Sequence, residues 1–281
     1  MAIPASELIL NPDHSVYHLQ LRNGELAPRV ITVGDPGRVD LIRSYLDTVE
    51  LEKRHREFYT VTGRMGAQRL TVLATGIGTD NIDVVLNELQ LVQAYDLEKR
   101  RPLPNPEPLR VLRLGTSGAL QEEVPVGSLW MSEEALGLDG LLPFYAHNYP
   151  LVDLGLPGIP PAVRVQPSDE LKQAFTRHVD GGGLTLTAAG FYAPPGGHLL
   201  AAPRHKDWLQ KVVQQEVGGR KPSNLEMETA GIYGLGGLLG MHTLSLSVIL
   251  ANRFTGDFSA RPEEGIKRLI EAGLEGITSL R

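Results

Sequence analysis

The chain has 281 residues, no Cys, 42% hydrophobic residues, and 27 basic against 33 acidic side chains, for a formal net charge of −6. That apolar share is enough for a core and excludes disorder of the chain as a whole. The missing Cys excludes disulfides, thiolate zinc sites and a thiol nucleophile, and the mildly acidic balance argues against a binder of nucleic-acid backbones. The longest apolar runs, such as Leu246–Ala251, are too short to cross a bilayer. Residues 1–12 carry neither a positive n-region nor a continuous apolar h-region, so the expectation is a cytoplasmic protein without membrane contact.

Strand and helix periods alternate along the chain. Arg29–Val33 reads as a short buried strand running into Gly34-Asp35-Pro36, with a helix behind it that places Pro36 in its first turn and Val39, Ile42 and Leu46 on one face. Arg69–Thr75 is a second strand ending in Gly76-Ile77-Gly78. Asp80 or Asn81 is the expected cap of the next helix, whose stripe is Ile82, Val85, Leu89 and Val92. Arg110–Gly115 is a third strand, closed by a turn at Thr116-Ser117-Gly118. Further strands are predicted at Gly127–Ser132, Leu184–Ala189 and Thr243–Ala251, and helices near Ser168–Val179, Lys206–Val217, Met227–Leu239 and Glu263–Leu280. Arg101–Pro108 holds four prolines in eight residues and reads as a surface loop within one sheet, not a domain boundary. Residues 137–165 are loop-rich. The alternation implies an α/β fold, a mainly parallel or mixed sheet covered by helices, in a single domain over 1–281. Ligands in such folds sit outside the carboxyl ends of strands, where the Gly-rich turns fall.

Four segments carry chemistry. In Gly34-Asp35-Pro36-Gly37-Arg38, glycine lets the main chain approach a ligand, the helix N-terminus favours an anion, and Arg38 adds a forked donor suited to phosphate. An ordinary strand-to-helix turn with a solvated Arg is the plain alternative. Arg113 stands inside an apolar strand, where burial demands a carboxylate or a bound anion. The hydroxyls of Thr116-Ser117 beside it favour the anion, and Arg113→Ala is then expected to remove phosphate dependence with little loss of fold. His55-Arg56-Glu57-Phe58 is a polar stretch that by itself reads as a solvated face. In Glu226-Met227-Glu228-Thr229, two acids flank a Met at the entry of an apolar helix; such acids need partners, and vicinal sugar hydroxyls are suitable ones. Gly76-Ile77-Gly78 lacks the third glycine of a dinucleotide fingerprint, no P-loop occurs, and the eight His lack the spacing of a helical zinc site.

Taken in order, these segments resemble the nucleoside phosphorylase family, in its uridine phosphorylase-like branch. The match runs through Tyr17-His18-Leu19, Gly34 to Arg38, His55 to Phe58, Thr75 to Gly78, Arg113 to Ala119, Phe191-Tyr192, Glu226 to Thr229 and Asn252-Arg253, and so covers roughly residues 15 to 255. The resemblance implies a three-layer fold with a partly barrel-like mixed sheet and no metal or organic cofactor, with inorganic phosphate as co-substrate. It implies a phosphate cradle of Gly34, Arg38, Arg113 and Thr116, with Arg56 donated by a neighbouring subunit. Arg113, Thr116 and Glu228 would be the catalytic residues. Glu228 would bind the ribose hydroxyls together with Glu226, Met227 would pack on the sugar, and His18 of a neighbour would bond the 5′-hydroxyl. Phe191 would line the sugar and base pocket and Arg253 would sit near the base, while His198 is a candidate base reader on its own position and equally reads as a solvated loop histidine. The implied assembly is a homo-oligomer with shared sites, a dimer at minimum or a hexamer.

One departure falls in the base pocket. Relatives carry Gln and Arg shortly after the Phe-Tyr pair, where this chain has Pro195 and Gly197. Neither supplies a side-chain hydrogen bond, and such bonds discriminate more strongly than apolar contacts. Uridine is therefore the nominal substrate. A different base, base reading by His198 or by the Arg204-His205 pair, and loss of activity are the explanations left open. A nucleosidase of the same fold and a non-catalytic nucleoside- or phosphate-binding relative are the alternative functions.

Overall fold

The computed structural model describes residues 3–194 and 200–280. The first crossover follows the predicted pattern. Strand β1 (Arg29–Val33) feeds helix α1 (Pro36–Arg43), where Asp35 caps the helix by accepting from the Gly37 N–H and Pro36 opens it without forfeiting a helical bond. An antiparallel hairpin, β2 (Thr48–His55) and β3 (Phe58–Met65), leads to β4 (Gln68–Ala74) and then to α2 (Thr79–Ala94). A small pair, β5 (Tyr95–Asp96) and β6 (Arg101–Pro102), precedes the long strands β7 (Arg110–Ala119) and β8 (Leu129–Gly137). Next come β9 (Leu151–Val152), β10 (Ala162–Val165), α3 (Asp169–Phe175), β11 (Gly181–Thr187) and α4 (Trp208–Val212). The last elements are β12 (Pro222–Glu226), α5 (Thr229–Leu238), β13 (His242–Asn252) and α6 (Pro262–Ser279).

One mixed sheet organises these elements. Its path runs β2-β3-β4-β1-β7-β12-β11-β8-β10-β9, and β13 pairs with both β7 and β8. Five strands therefore close a ring, β7-β12-β11-β8-β13, so the sheet is partly barrel-like. Alternation along the strands divides the core in two. Val30 and Val111 pack with α2 and α5 on one face, while Ile31 and Leu112 pack with α1, α3 and α6 on the other. Helices on both faces make three layers. No helix among the described residues is long and apolar enough to cross a membrane.

Several boundaries differ from the sequence expectation. Neither Asp80 nor Asn81 caps α2: the N-cap is Gly78, at φ +97°, and both polar residues fall in the first turn. Thr116-Ser117-Gly118 is not a turn but the last part of β7, held by its ladder to β13. The predicted helix at 206–217 shrinks to Trp208–Val212, and the one from Ser168 ends at Phe175, followed by a 3-10 turn over Thr176–His178. The hairpin β2-β3 went unread because β2 is largely exposed and shows no apolar alternation.

Candidate active site

A cleft of about 730 Å³ opens at the carboxyl ends of β1, β4, β7 and β12, where parallel strands end and helix N-termini begin. Four expected phosphate ligands, Gly34, Arg38, Arg113 and Thr116, line it. Glu226, Met227 and Glu228 line it as well, and Phe191 and Arg253 complete its wall. Sequence positions almost 220 residues apart thus converge in one cleft.

The register explains how a buried arginine reaches the cleft. Arg113 lies beside Thr32 of β1 and Ser245 of β13, and its Nη1 stands 3.4 Å from the hydroxyls of Ser245 and Ser247. Its side chain curls over Gly115, two residues on along the same face. A Cβ at position 115 would collide with the guanidinium, so a larger residue there would displace Arg113 from this position. Arg113 Nη2 lies 3.2 Å from Glu226 and pairs directly with Glu228. The carboxylate alternative for Arg113 is therefore realised within the chain itself. Burial opposes its charge, and the two carboxylates more than offset that opposition, holding its pKa above the usual range.

Glu226 is committed to the fold. One carboxylate oxygen accepts from Thr187 Oγ1 at 2.6 Å, the other from the Glu228 N–H at 2.9 Å, and both from the Thr229 N–H. It thereby satisfies the first donors of α5, which a helix leaves unpaired, and with Arg113 its acceptor positions are filled. Burial pushes its pKa up, with Arg113 opposing and Glu228 adding to the shift. This corrects the expectation that both acids face sugar hydroxyls, since Glu226 is a cap and a clamp. Glu228 keeps more freedom: one oxygen accepts from the Gly78 N–H at 2.7 Å, the other meets Arg113, and each has a lone pair left.

Arg38 contrasts with Arg113. Its Nη1 donates to the Leu114 carbonyl at 3.0 Å, and it forms no ion pair among the described residues. Burial, followed by repulsion from Arg113, holds its pKa below the usual range. Two guanidinium groups close enough to repel one another form a site that an oxyanion would relieve.

His18 and Arg56 do not line this cleft. They share a neighbouring patch: the Arg56 guanidinium lies 5.7 Å from the Tyr17 ring centre, and His55 Nδ1 lies 2.9 Å from the His18 carbonyl. Arg56 is exposed in the β2-β3 turn at φ +54°, a costly conformation for a non-glycine residue. Its neighbour Glu57 reaches the cleft wall. His198, Pro195 and Gly197 lie outside the described residues. Arg204 and His205 flank a separate apolar pocket of about 260 Å³, and His205 Nε2 is bonded to the Pro157 carbonyl at 2.8 Å, so this pair is not drawn into the cleft. Sequence reasoning missed Thr187, Ser245, Ser247 and the Gly78 N–H as supports. A polar residue at every second position of an apolar strand, as in Ser245-Leu246-Ser247, was the signal available.

Fold and cleft together define an α/β protein that gathers arginines and a carboxylate at the ends of a partly closed sheet. The chain belongs to the phosphorylase superfamily, whose family model matches residues 28–272. It is 26% identical over 255 residues to a uridine phosphorylase of Thermococcus kodakarensis, covering 88% of this chain and 81% of that one. It is also 26% identical over 250 residues to a DeoD-type purine nucleoside phosphorylase of Oceanobacillus iheyensis, covering 88% and 91%. A solved Trypanosoma brucei nucleoside phosphorylase, described as showing uridine phosphorylase activity, superposes with a TM-score of 0.87 at 25% identity, covering 97% of this chain and all of that one.

Proposed function

We propose that the chain is a nucleoside phosphorylase, a pentosyltransferase that cleaves a nucleoside with inorganic phosphate to free base and pentose 1-phosphate. The observation that carries this reading is the convergence of Arg38 and Arg113 in one cleft with Glu228. Phosphate seated between the guanidinium groups attacks C1′ as the glycosidic bond breaks. A phosphate oxygen bonds to C1′, and the base leaves with the bonding electrons and takes a proton. The transition state has oxocarbenium character, so an anion held beneath the sugar stabilises it more than the ground state. Glu228 fixes the sugar by accepting from its vicinal hydroxyls, and Met227 packs against it. The guanidinium donors of Arg38 and Arg113 act at contact range, so phosphate binding does not require a positive chain and is compatible with a net charge of −6. No metal or organic cofactor enters the reading, and the expected location is cytoplasmic.

Uridine is the first substrate to test, with purine nucleosides beside it, because relatives of both kinds match at equal identity. The decisive assay measures base release from uridine, thymidine, inosine and adenosine, with and without phosphate. Turnover that requires phosphate is expected. Equal turnover without phosphate would make the protein a nucleosidase, and binding without base release at high enzyme concentration would make it a non-catalytic relative.

The position of His18 and Arg56 outside the chain's own cleft supports a site completed by a second copy. Mixing Arg56→Ala with Arg38→Ala protein should then restore activity, to about a quarter of wild type for freely exchanging dimers. Activity in a demonstrably monomeric sample would contradict the shared site.

A further inference from the structure

Glu88, in the middle of α2, is a buried acid 8% exposed that the reaction described above does not use. Its carboxylate holds a segment some 70 residues away. The His18 N–H donates to its two oxygens at 2.9 and 3.1 Å, the Leu19 N–H donates at 2.7 Å, and His18 Nδ1 stands 2.7 Å from Oε1. An ionised carboxylate only accepts hydrogen bonds, so the ring nitrogen facing it must carry the proton. The rest of the ring is fenced in. Tyr17 packs edge-on with centroids 5.0 Å apart, Phe58 does so at 6.4 Å, and the His18 carbonyl is taken by His55 Nδ1. The His18 side chain nevertheless stays 30% exposed, leaving Nε2 as its free polar atom.

We propose that Glu88 is a positioning residue that fixes His18 as the Nδ1–H tautomer, so that its Nε2 accepts, and that the site thereby selects nucleosides whose 5′ group donates a hydrogen bond. The proposal rests on the reading that His18 meets the 5′ position in a neighbour's cleft. A hydroxyl satisfies such an acceptor. Fluorine or hydrogen at the 5′ carbon cannot, and leaves Nε2 desolvated and unpaired. The bond from His55 to the His18 carbonyl also ties this segment to the turn carrying Arg56.

Two measurements test this. Nitrogen-15 NMR of the wild-type ring at pH 8 should find Nδ1 protonated and Nε2 bare. An Nε2–H tautomer or a doubly protonated ring would overturn the proposal, and this reading needs no variant to fold. Kinetics come next, with uridine, 5′-deoxyuridine and 5′-deoxy-5′-fluorouridine, or the inosine series if the substrate panel selects purines. Wild type should show KM about tenfold higher for the two analogues than for the parent. In Glu88→Gln the amide N–H donates to Nδ1, Nε2 becomes the donor, and the preference for hydroxyl over fluorine should collapse, with the change in KM and not in kcat. A preference that survives His18→Ala would defeat the reading of His18 itself. A preference that disappears in His18→Ala but persists in Glu88→Gln would defeat the role of Glu88 alone.

Discussion

Arg38→Ala is expected to lower kcat/KM for phosphate-dependent cleavage by about 10² to 10³, the usual effect of removing one preorganised donor from a developing charge, while stability in phosphate-free buffer stays unchanged or rises. The side chain contributes one hydrogen bond, to the Leu114 carbonyl. Against that bond stand burial and the repulsion of Arg113, both of which disfavour its charge. Removing it relieves the repulsion and costs the fold little. The ligand-bound state behaves in the opposite way. Phosphate binds the native state only and raises the melting temperature of wild type by mass action, and in Arg38→Ala that rise should disappear. Differential scanning fluorimetry with and without phosphate, beside kinetics at varied phosphate, checks both halves. A variant that still melts higher in phosphate would show that the anion sits elsewhere.

The legible part of the fold was the part with strong local pattern. β1, β13 and α6 carry long apolar periods bounded by Gly or Pro, and the structure reproduces each within a residue or two of the expected range. The hairpin turn holding Arg56 was invisible because β2 is an edge strand whose side chains mostly meet water. Thr116 to Gly118 looked like a turn because small residues also suit the crowded seam where β7 pairs with both β13 and β12. In the site, the sequence singled out Arg113 and the two acids but not their division of labour. Glu226 and Glu228 are two residues apart and chemically alike. Only the end of β12 running into α5 decides that one caps the helix while the other faces the cleft. The glycine two positions after Arg113 was the local clue that its side chain folds back along its own strand.

That division of labour reverses the expected behaviour of Arg113→Ala. The sequence pointed to lost phosphate dependence with an intact fold. The structure places the guanidinium between two buried carboxylates, with Glu226 and Glu228 side chains only 1% and 8% exposed. Removing the cation leaves both acids without their counter-charge, a loss of about 3–5 kcal/mol for a broken buried pair. Urea unfolding followed by circular dichroism should therefore show Arg113→Ala with a clearly lower midpoint than wild type and than Arg38→Ala, although both variants are expected to lose most of their activity. The cause is testable by removing a charge on the other side. Arg113→Met combined with Glu228→Gln deletes the cation and one acid together and fills the space with apolar and neutral groups, so it should recover part of the midpoint while activity stays absent. Recovery of stability without recovery of turnover would separate the two roles of Arg113, as anchor of the acid pair and as ligand of the anion. An Arg113→Ala protein as stable as wild type would mean that Glu226 and Glu228 do not depend on it, and the clamp at the root of the cleft would have to be rebuilt from other contacts.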